Sequence, residues 1–253
     1  MSFGDAFVSV GIGAEAVMWN PAGIVFEKRI ELIGNYAMMY SIDGLSSYSS
    51  SVAYNAKFGA FGLGWNGLAL ADEYSENLVA LEFAKKFRNV SVGLAVKTFI
   101  VSASGYDKYN DPNFESSKAI FTGDIGILWN PTGKLKIATV MRNLNSPKIS
   151  LISTTVEKDK LDRNFVLGAS YRIQDFLTFS MDMVTEKGDF SDIIFNAGTE
   201  IAFFDAIALR SGFADSRLGM GLGLFTQRWA FDFGLHSHKN LGNLYQFSLK
   251  LGF

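Results

Sequence analysis

His236, Ser237 and His238 stand in a row, four residues after Asp232, and are the nearest approach in the sequence to the base and nucleophile of a hydrolase. Such chemistry needs nucleophile and base within hydrogen-bond reach, with the base oriented by a third group. In an extended chain, adjacent side chains point to opposite faces, so His236 and Ser237 cannot share a site. His238 and Asp232 fall on one face but several residues apart. Asp189 and Asp192 lie in a polar connection and read as solvated carboxylates rather than an acid–base pair. Gly11 and Gly13 lack the third glycine and the surrounding strand–turn–helix unit of a dinucleotide site. Two histidines and no cysteine leave no thiolate zinc site, disulfide or thiol nucleophile. No catalytic residue, metal site or cofactor is expected, and the chain does not read as an enzyme.

The residues that remain must be placed by the elements carrying them, and those elements alternate. Trp229, Phe231, Phe233 and Leu235 interleave with Ala230, Asp232, Gly234 and His236. Leu218, Met220, Leu222 and Leu224 interleave with glycines at 219, 221 and 223, and the last stretch sets Tyr245, Phe247, Leu249, Leu251 and Phe253 against Gln246, Ser248, Lys250 and Gly252. Period two is the mark of strands with one apolar face. The spacing predicts strands at 29–41, 46–57, 59–70, 77–87, 89–104, 117–130, 135–143, 163–173, 176–187, 194–204, 206–214, 217–226, 229–238 and 242–253. Most are near the ~9–11 residues that cross a bilayer at a tilt, and their even number suits a closed bacterial barrel.

Composition supports that placement. The 253 residues are 48% hydrophobic and 19% charged, against about 25% charged in an average protein, and include 25 Gly and 23 Phe. A formal net charge of -2 with no basic stripe excludes a nucleic-acid binder. The non-apolar face of the strands is mostly Gly, Ala, Ser and Asn, poor cover for a soluble surface, so the apolar face is assigned to lipid and the other to the lumen. Tight turns at 57–59, 86–89, 130–134, 172–175, 204–205 and 226–228 oppose longer loops at 104–117 and 144–162, which places the short turns and both termini in the periplasm. Aromatic side chains, among them Trp65, Trp129 and Trp229, are expected at the headgroup level.

By register, the lumen carries Glu82, Lys97, Asp124, Arg142, Arg172, Asp182, Glu200, Arg210, Asp232 and His236. Their signs are mixed, where a charge-selective pore would favour one sign. Acids and bases paired across a narrow, filled interior are expected.

Residues 1–28 break the alternation. They are rich in small side chains and end in Asn20-Pro21-Ala22-Gly23, where proline fixes φ and glycine permits a tight return. Such a segment has no place in lipid and is expected inside the barrel of residues 29–253 as a plug, with Gly219, Gly221 and Gly223 leaving room beside it. Phe3-Gly4-Asp5-Ala6-Phe7-Val8, followed by Ala14-Glu15-Ala16-Val17-Met18-Trp19-Asn20-Pro21-Ala22-Gly23-Ile24, resembles the N-terminal signature of the FadL superfamily of outer-membrane proteins, closest to its PorV/PorQ-like branch. The resemblance is specific over 2–24 and generic over the barrel.

It implies a fourteen-stranded all-β transmembrane barrel in the outer membrane, with a hatch marked by Trp19, Asn20, Pro21, Ala22 and Gly23. It also implies one of two roles: passage of small hydrophobic molecules gated by the hatch, or an accessory, cargo-handling part in a type IX-like secretion or assembly complex. The partners implied are the lipid bilayer, a hydrophobic small molecule, detergent or lipid in the lumen and, on the second reading, proteins of a secretion complex. Met1-Ser2 opens directly onto the motif with no basic or apolar leader, the expectation being a mature or trimmed chain.

Overall fold

The computed structural model describes residues 4–26, 28–40, 42–104, 111–185, 187–188, 190–215 and 217–253. Two short 3-10 turns, η1 (Gly13–Glu15) and η2 (Pro21–Ile24), precede the strands. These are β1 (Ile30–Met39), β2 (Leu45–Ala56), β3 (Gly59–Leu70), β4 (Tyr74–Phe87), β5 (Val90–Ala103), β6 (Ser117–Trp129), β7 (Leu135–Arg142), β8 (Lys148–Ile149), β9 (Asp159–Lys160), β10 (Asn164–Gln174), β11 (Leu177–Thr185), β12 (Ile193–Phe203), β13 (Ile207–Ala214), β14 (Arg217–Phe225), β15 (Trp229–His238) and β16 (Gly242–Gly252). Fourteen of them form one closed antiparallel barrel in which β7 pairs with β10 and β1 closes on β16. β8 and β9 form a separate two-stranded sheet within the 144–162 loop. Each barrel strand coincides with one read from the alternation, because period two survives wherever the two faces meet different media.

The outer face is lipid-like throughout its middle. Leu81, Val96, Phe121 and Met220 are each more than 60% exposed although apolar, which only a hydrocarbon surround makes favourable. At the short-turn end Phe58, Phe87, Trp129, Phe176, Phe204, Trp229 and Phe253 ring the exterior. Trp65 and Tyr36 sit within β3 and β1 rather than at their ends; Trp65 packs on Tyr48 at 4.8 Å. The opposite, loop end is less distinctive than expected, since 71–73, 215–216 and 239–241 are as short as the turns. The two longer loops meet each other there, with Phe114 bridging Ile152. Residues 105–110 lie outside the described residues.

The interior has no sheet-on-sheet core. Three buried apolar clusters each join the N-terminal segment to the wall: Val17 and Ile24 with Ala60 and Ala84, Val8 with Val140 and Val166, and Ala14 and Phe26 with Ile33 and Ala53.

Candidate functional site

Residues 4–26 lie within the lumen and are mostly buried, held by wall side chains that point inward every second residue. Asp182, fully buried, accepts hydrogen bonds on Oδ2 from the backbone N–H groups of Phe7 at 2.7 Å and Val8 at 3.0 Å. Glu82 Oε1 accepts from Met18 N at 3.0 Å, and Glu31 Oε2 from Ala14 N at 3.3 Å. The hydroxyls of Ser51 and Ser180 donate to the carbonyls of Ala14 at 2.7 Å and Ala6 at 2.8 Å. Arg142 donates to Trp19 O at 2.9 Å, with its guanidinium 5.7 Å over the Trp19 ring. A short segment without sheet partners leaves many backbone groups to satisfy, and the wall supplies them one at a time.

The motif at 19–23 has a local logic. Asn20 caps η2, its Oδ1 accepting from Ala22 N at 3.0 Å, while its Nδ2 donates to Val8 O at 2.9 Å and so ties the two halves of the segment together. Pro21 occupies the first helical position, where no N–H is missed. Trp19 meets Phe7 edge-on at 5.4 Å. This turn presses on wall glycines: a Cβ at Gly93 would overlap the Pro21 backbone, and one at Gly126 would overlap Asn20 Oδ1. Gly219 and Gly223, expected beside the segment, instead face His236 and the Arg210–Asp232 pair; the segment leans on the opposite wall.

All ten lumen candidates lie on one face by strand register, but they are not uniformly paired. Lys97 bonds Asp124 at 2.7 Å. Arg210 bridges Glu200, at 2.7 Å, and Asp232. Asp182, Glu82 and Arg142 spend their polarity on the N-terminal backbone rather than on an opposite charge. Among the described residues Arg172 has no carboxylate partner, and His236 packs beside Gly219. Expecting acids and bases to pair across the lumen overlooked the unpaired amides and carbonyls that fill it.

Two latches escaped the sequence. Asp5 Oδ2 meets Arg217 Nη2 at 2.9 Å, and Glu15 Oε1 meets Lys250 Nζ at 2.6 Å. Burial pushes the Glu15 carboxyl up, but the Lys250 ammonium outweighs it and holds the group below its ordinary range. No signal could have found either pair, since 212 and 235 residues separate the partners.

Asp5 at Arg217, and Gly4 against the backbone of Phe213 and Ala197, lie in the loop half of the lumen. Ile30 and Phe253 share the turn end, joined by backbone hydrogen bonds. An even strand count fixes the ends of the barrel, but the N-terminal segment climbs back through the lumen before β1 begins.

His236 and Ser237 pair with Gly219 and Leu218 respectively, on opposite faces. His238 Nδ1 accepts from the N–H groups of Asn240 and Leu241 and serves its turn. Asp189 and Phe3 lie outside the described residues. No group of three metal-ligating side chains occurs among the described residues.

A family model described as "F plasmid transfer operon, TraF, protein" matches residues 5–183. No curated protein matches the sequence. Among solved structures, the Pseudomonas putida toluene transporter TodX superimposes with a TM-score of 0.63 at 10% identity, over 98% of this chain and 95% of that one. The TodX deltaS2S3 mutant, titled a monoaromatic hydrocarbon channel, gives 0.64 at 10% identity over 95% and 94%. The Acinetobacter baumannii outer membrane protein Omp33 gives 0.56 at 11% over 90% and 99%. At such identities the likeness establishes the fold alone, the closed antiparallel β-barrel of these outer-membrane proteins; it gives the PorV/PorQ-like branch of the resemblance no support.

Proposed function

This chain belongs to the family described as F plasmid transfer operon TraF proteins; from its barrel and the segment held inside it we propose an outer-membrane channel for small hydrophobic molecules, gated by its N-terminal hatch. One observation carries the reading. Among the described residues, no backbone–backbone hydrogen bond joins residues 4–26 to the barrel; every polar attachment runs through a side chain. A segment woven into a sheet would have to break a ladder to move, whereas this one is released by exchanging single hydrogen bonds, each with a net worth of about 0.5–3 kcal/mol. The hatch motif at Trp19, Asn20, Pro21, Ala22 and Gly23 is the rigid part, and the short turns are taken as periplasmic. The titles of the TodX structures, a toluene transporter and a hydrocarbon channel, favour apolar cargo.

Deleting residues 1–24 is expected to turn a closed barrel into a conducting one in planar bilayers. A deleted barrel that folds, as judged by heat-modifiable mobility, yet stays closed would overturn the gating. A second reading, an accessory of a protein-secretion or transfer apparatus, draws on the transfer operon in the family's description. It predicts co-purification with a large complex from native membranes, and a solitary barrel there counts against it.

A further inference from the structure

At the short-turn end, between the N-terminal segment and β7 and β10 to β16, the lumen widens into a cavity of about 350 Å³. Three carboxylates line it, and each is already engaged: Glu15 with Lys250 at 2.6 Å, and Glu200 and Asp232 with Arg210. Two further cations, Lys136 of β7 and Arg172 of β10, line the same cavity and have no carboxylate partner among the described residues. Lys136 pairs in register with Ser170, so Arg172 stands diagonally across from it on the same face, a placement that puts backbones about 7–8 Å apart and long side chains within mutual reach. Lys134 and Arg228, at the turns, add positive charge around the mouth. Like charges on adjacent strands repel, and among the described residues no carboxylate forms an ion pair with either. Across the cavity the surface is apolar, formed by Phe7, Val10 and Ile12 of the N-terminal segment with Ile33.

We propose that this cavity binds an organic acid with a compact apolar body, its carboxylate held by Lys136 and Arg172 and its body laid against Phe7, Val10 and Ile12. The guanidinium offers a planar fork that matches a carboxylate, and the ammonium completes the charge. A volume of this size is at the small end for ligand pockets, which suits a single ring or a short chain rather than a long one. The inference rests on the channel reading, which it narrows from hydrophobic molecules in general to those carrying one negative charge. It also places the ligand in contact with the segment that would have to move.

The test is equilibrium calorimetry on the full-length protein in zwitterionic nanodiscs, with three probes: benzoate, benzyl alcohol as a neutral body of similar size, and inorganic phosphate as an anion without an apolar body. Benzoate should bind at least tenfold more tightly than either. The double variant Lys136→Gln, Arg172→Gln should weaken benzoate at least tenfold and leave benzyl alcohol unchanged, while Lys136→Arg with Arg172→Lys should retain most of the affinity. Benzoate binding no tighter than benzyl alcohol, or unaltered in the glutamine variant, would overturn the charge-based site. Phosphate binding as tightly as benzoate would overturn the apolar half. Binding is read with the hatch in place and requires no passage, so a negative result here is separable from a hatch deletion that fails to conduct.

Discussion

Along β3 to β6 the N-terminal segment and the lumen wall meet at backbone distance, with Pro21 on Gly93 and Asn20 on Gly126. Along β14 to β16 the same segment faces a cavity, and its links to the wall there are the Glu15–Lys250 pair and, above it, Asp5–Arg217, while Gly4 packs closely on the neighbouring β12 and β13. The two sides use similar residue types to opposite ends. Glycines near η2 admit a neighbouring backbone; glycines 219 and 223 admit the wall's own His236, Arg210 and Asp232. Close packing without side chains is hard to reverse by small steps, since any displacement opens a void. Ion pairs around a solvent-sized space can be exchanged with water at little cost. On the proposed gating, the β14–β16 side is therefore the one along which the segment would swing, with η2 as the fixed edge.

The sharpest way to break this contrast is to put the same methyl group on both walls. Gly93→Ala should displace the Pro21 turn, costing about 1–3 kcal/mol as overpacking does and producing conductance in planar bilayers. Gly219→Ala meets only the His236 imidazole at 2.9 Å, a side chain free to turn, and should leave thermal unfolding and conductance close to the parent. Equal effects would erase the distinction between the walls.

A more local effect, without a change in conductance, is expected from carboxylates. Asp182→Ala strands the N–H groups of Phe7 and Val8 and should cost about 2–3 kcal/mol, seen as faster hydrogen exchange confined to those amides. Glu200→Ala leaves Arg210 still paired with Asp232 and should change exchange in the N-terminal segment hardly at all. Matching exchange patterns in the two variants would mean that the segment does not depend on wall carboxylates.

The smallest effect is one of pH. Glu15 has its folded-state pKa below its unfolded value, so its contribution is fully present above the ordinary carboxylate range and is lost as pH falls through the lowered value. The contribution of the Glu15–Lys250 pair to anchoring should be flat from about pH 6 to 8 and be lost only in acid. Open probability of parent and Glu15→Gln recorded against pH checks this: the two should differ above the acid range and converge in acid, and a difference that vanishes near neutrality instead would show that another group controls the latch.

The strand inventory was legible because an inside and an outside of different polarity impose period two on every strand; 59–70 and 229–238 were bounded to the residue. The faces of Glu82, Lys97, Asp182 and Arg210 followed from the same parity. The 19–23 motif was legible as a turn, since Asn, Pro and Gly carry their conformational preferences with them. Their partners were not. Asp182 looked like a member of a lumen ion pair and instead receives two amides, because a carboxylate's alternation says where it points and nothing of what arrives there.

By itself, then, the sequence determined the number of strands, the face each residue takes and the presence of a segment that cannot lie in lipid. These are consequences of local period and local backbone preference, written within a few residues of each position. Tertiary structure alone decided that the segment leans on Gly93 and Gly126 rather than on Gly219, that its first residues lie towards the loop end, and that Lys136 and Arg172 face a cavity with no carboxylate paired to them among the described residues. Each of these depends on how barrel closure brings distant strands around a chain that pairs with none of them, and a contact between residues so far apart in the chain leaves no periodic trace in the sequence.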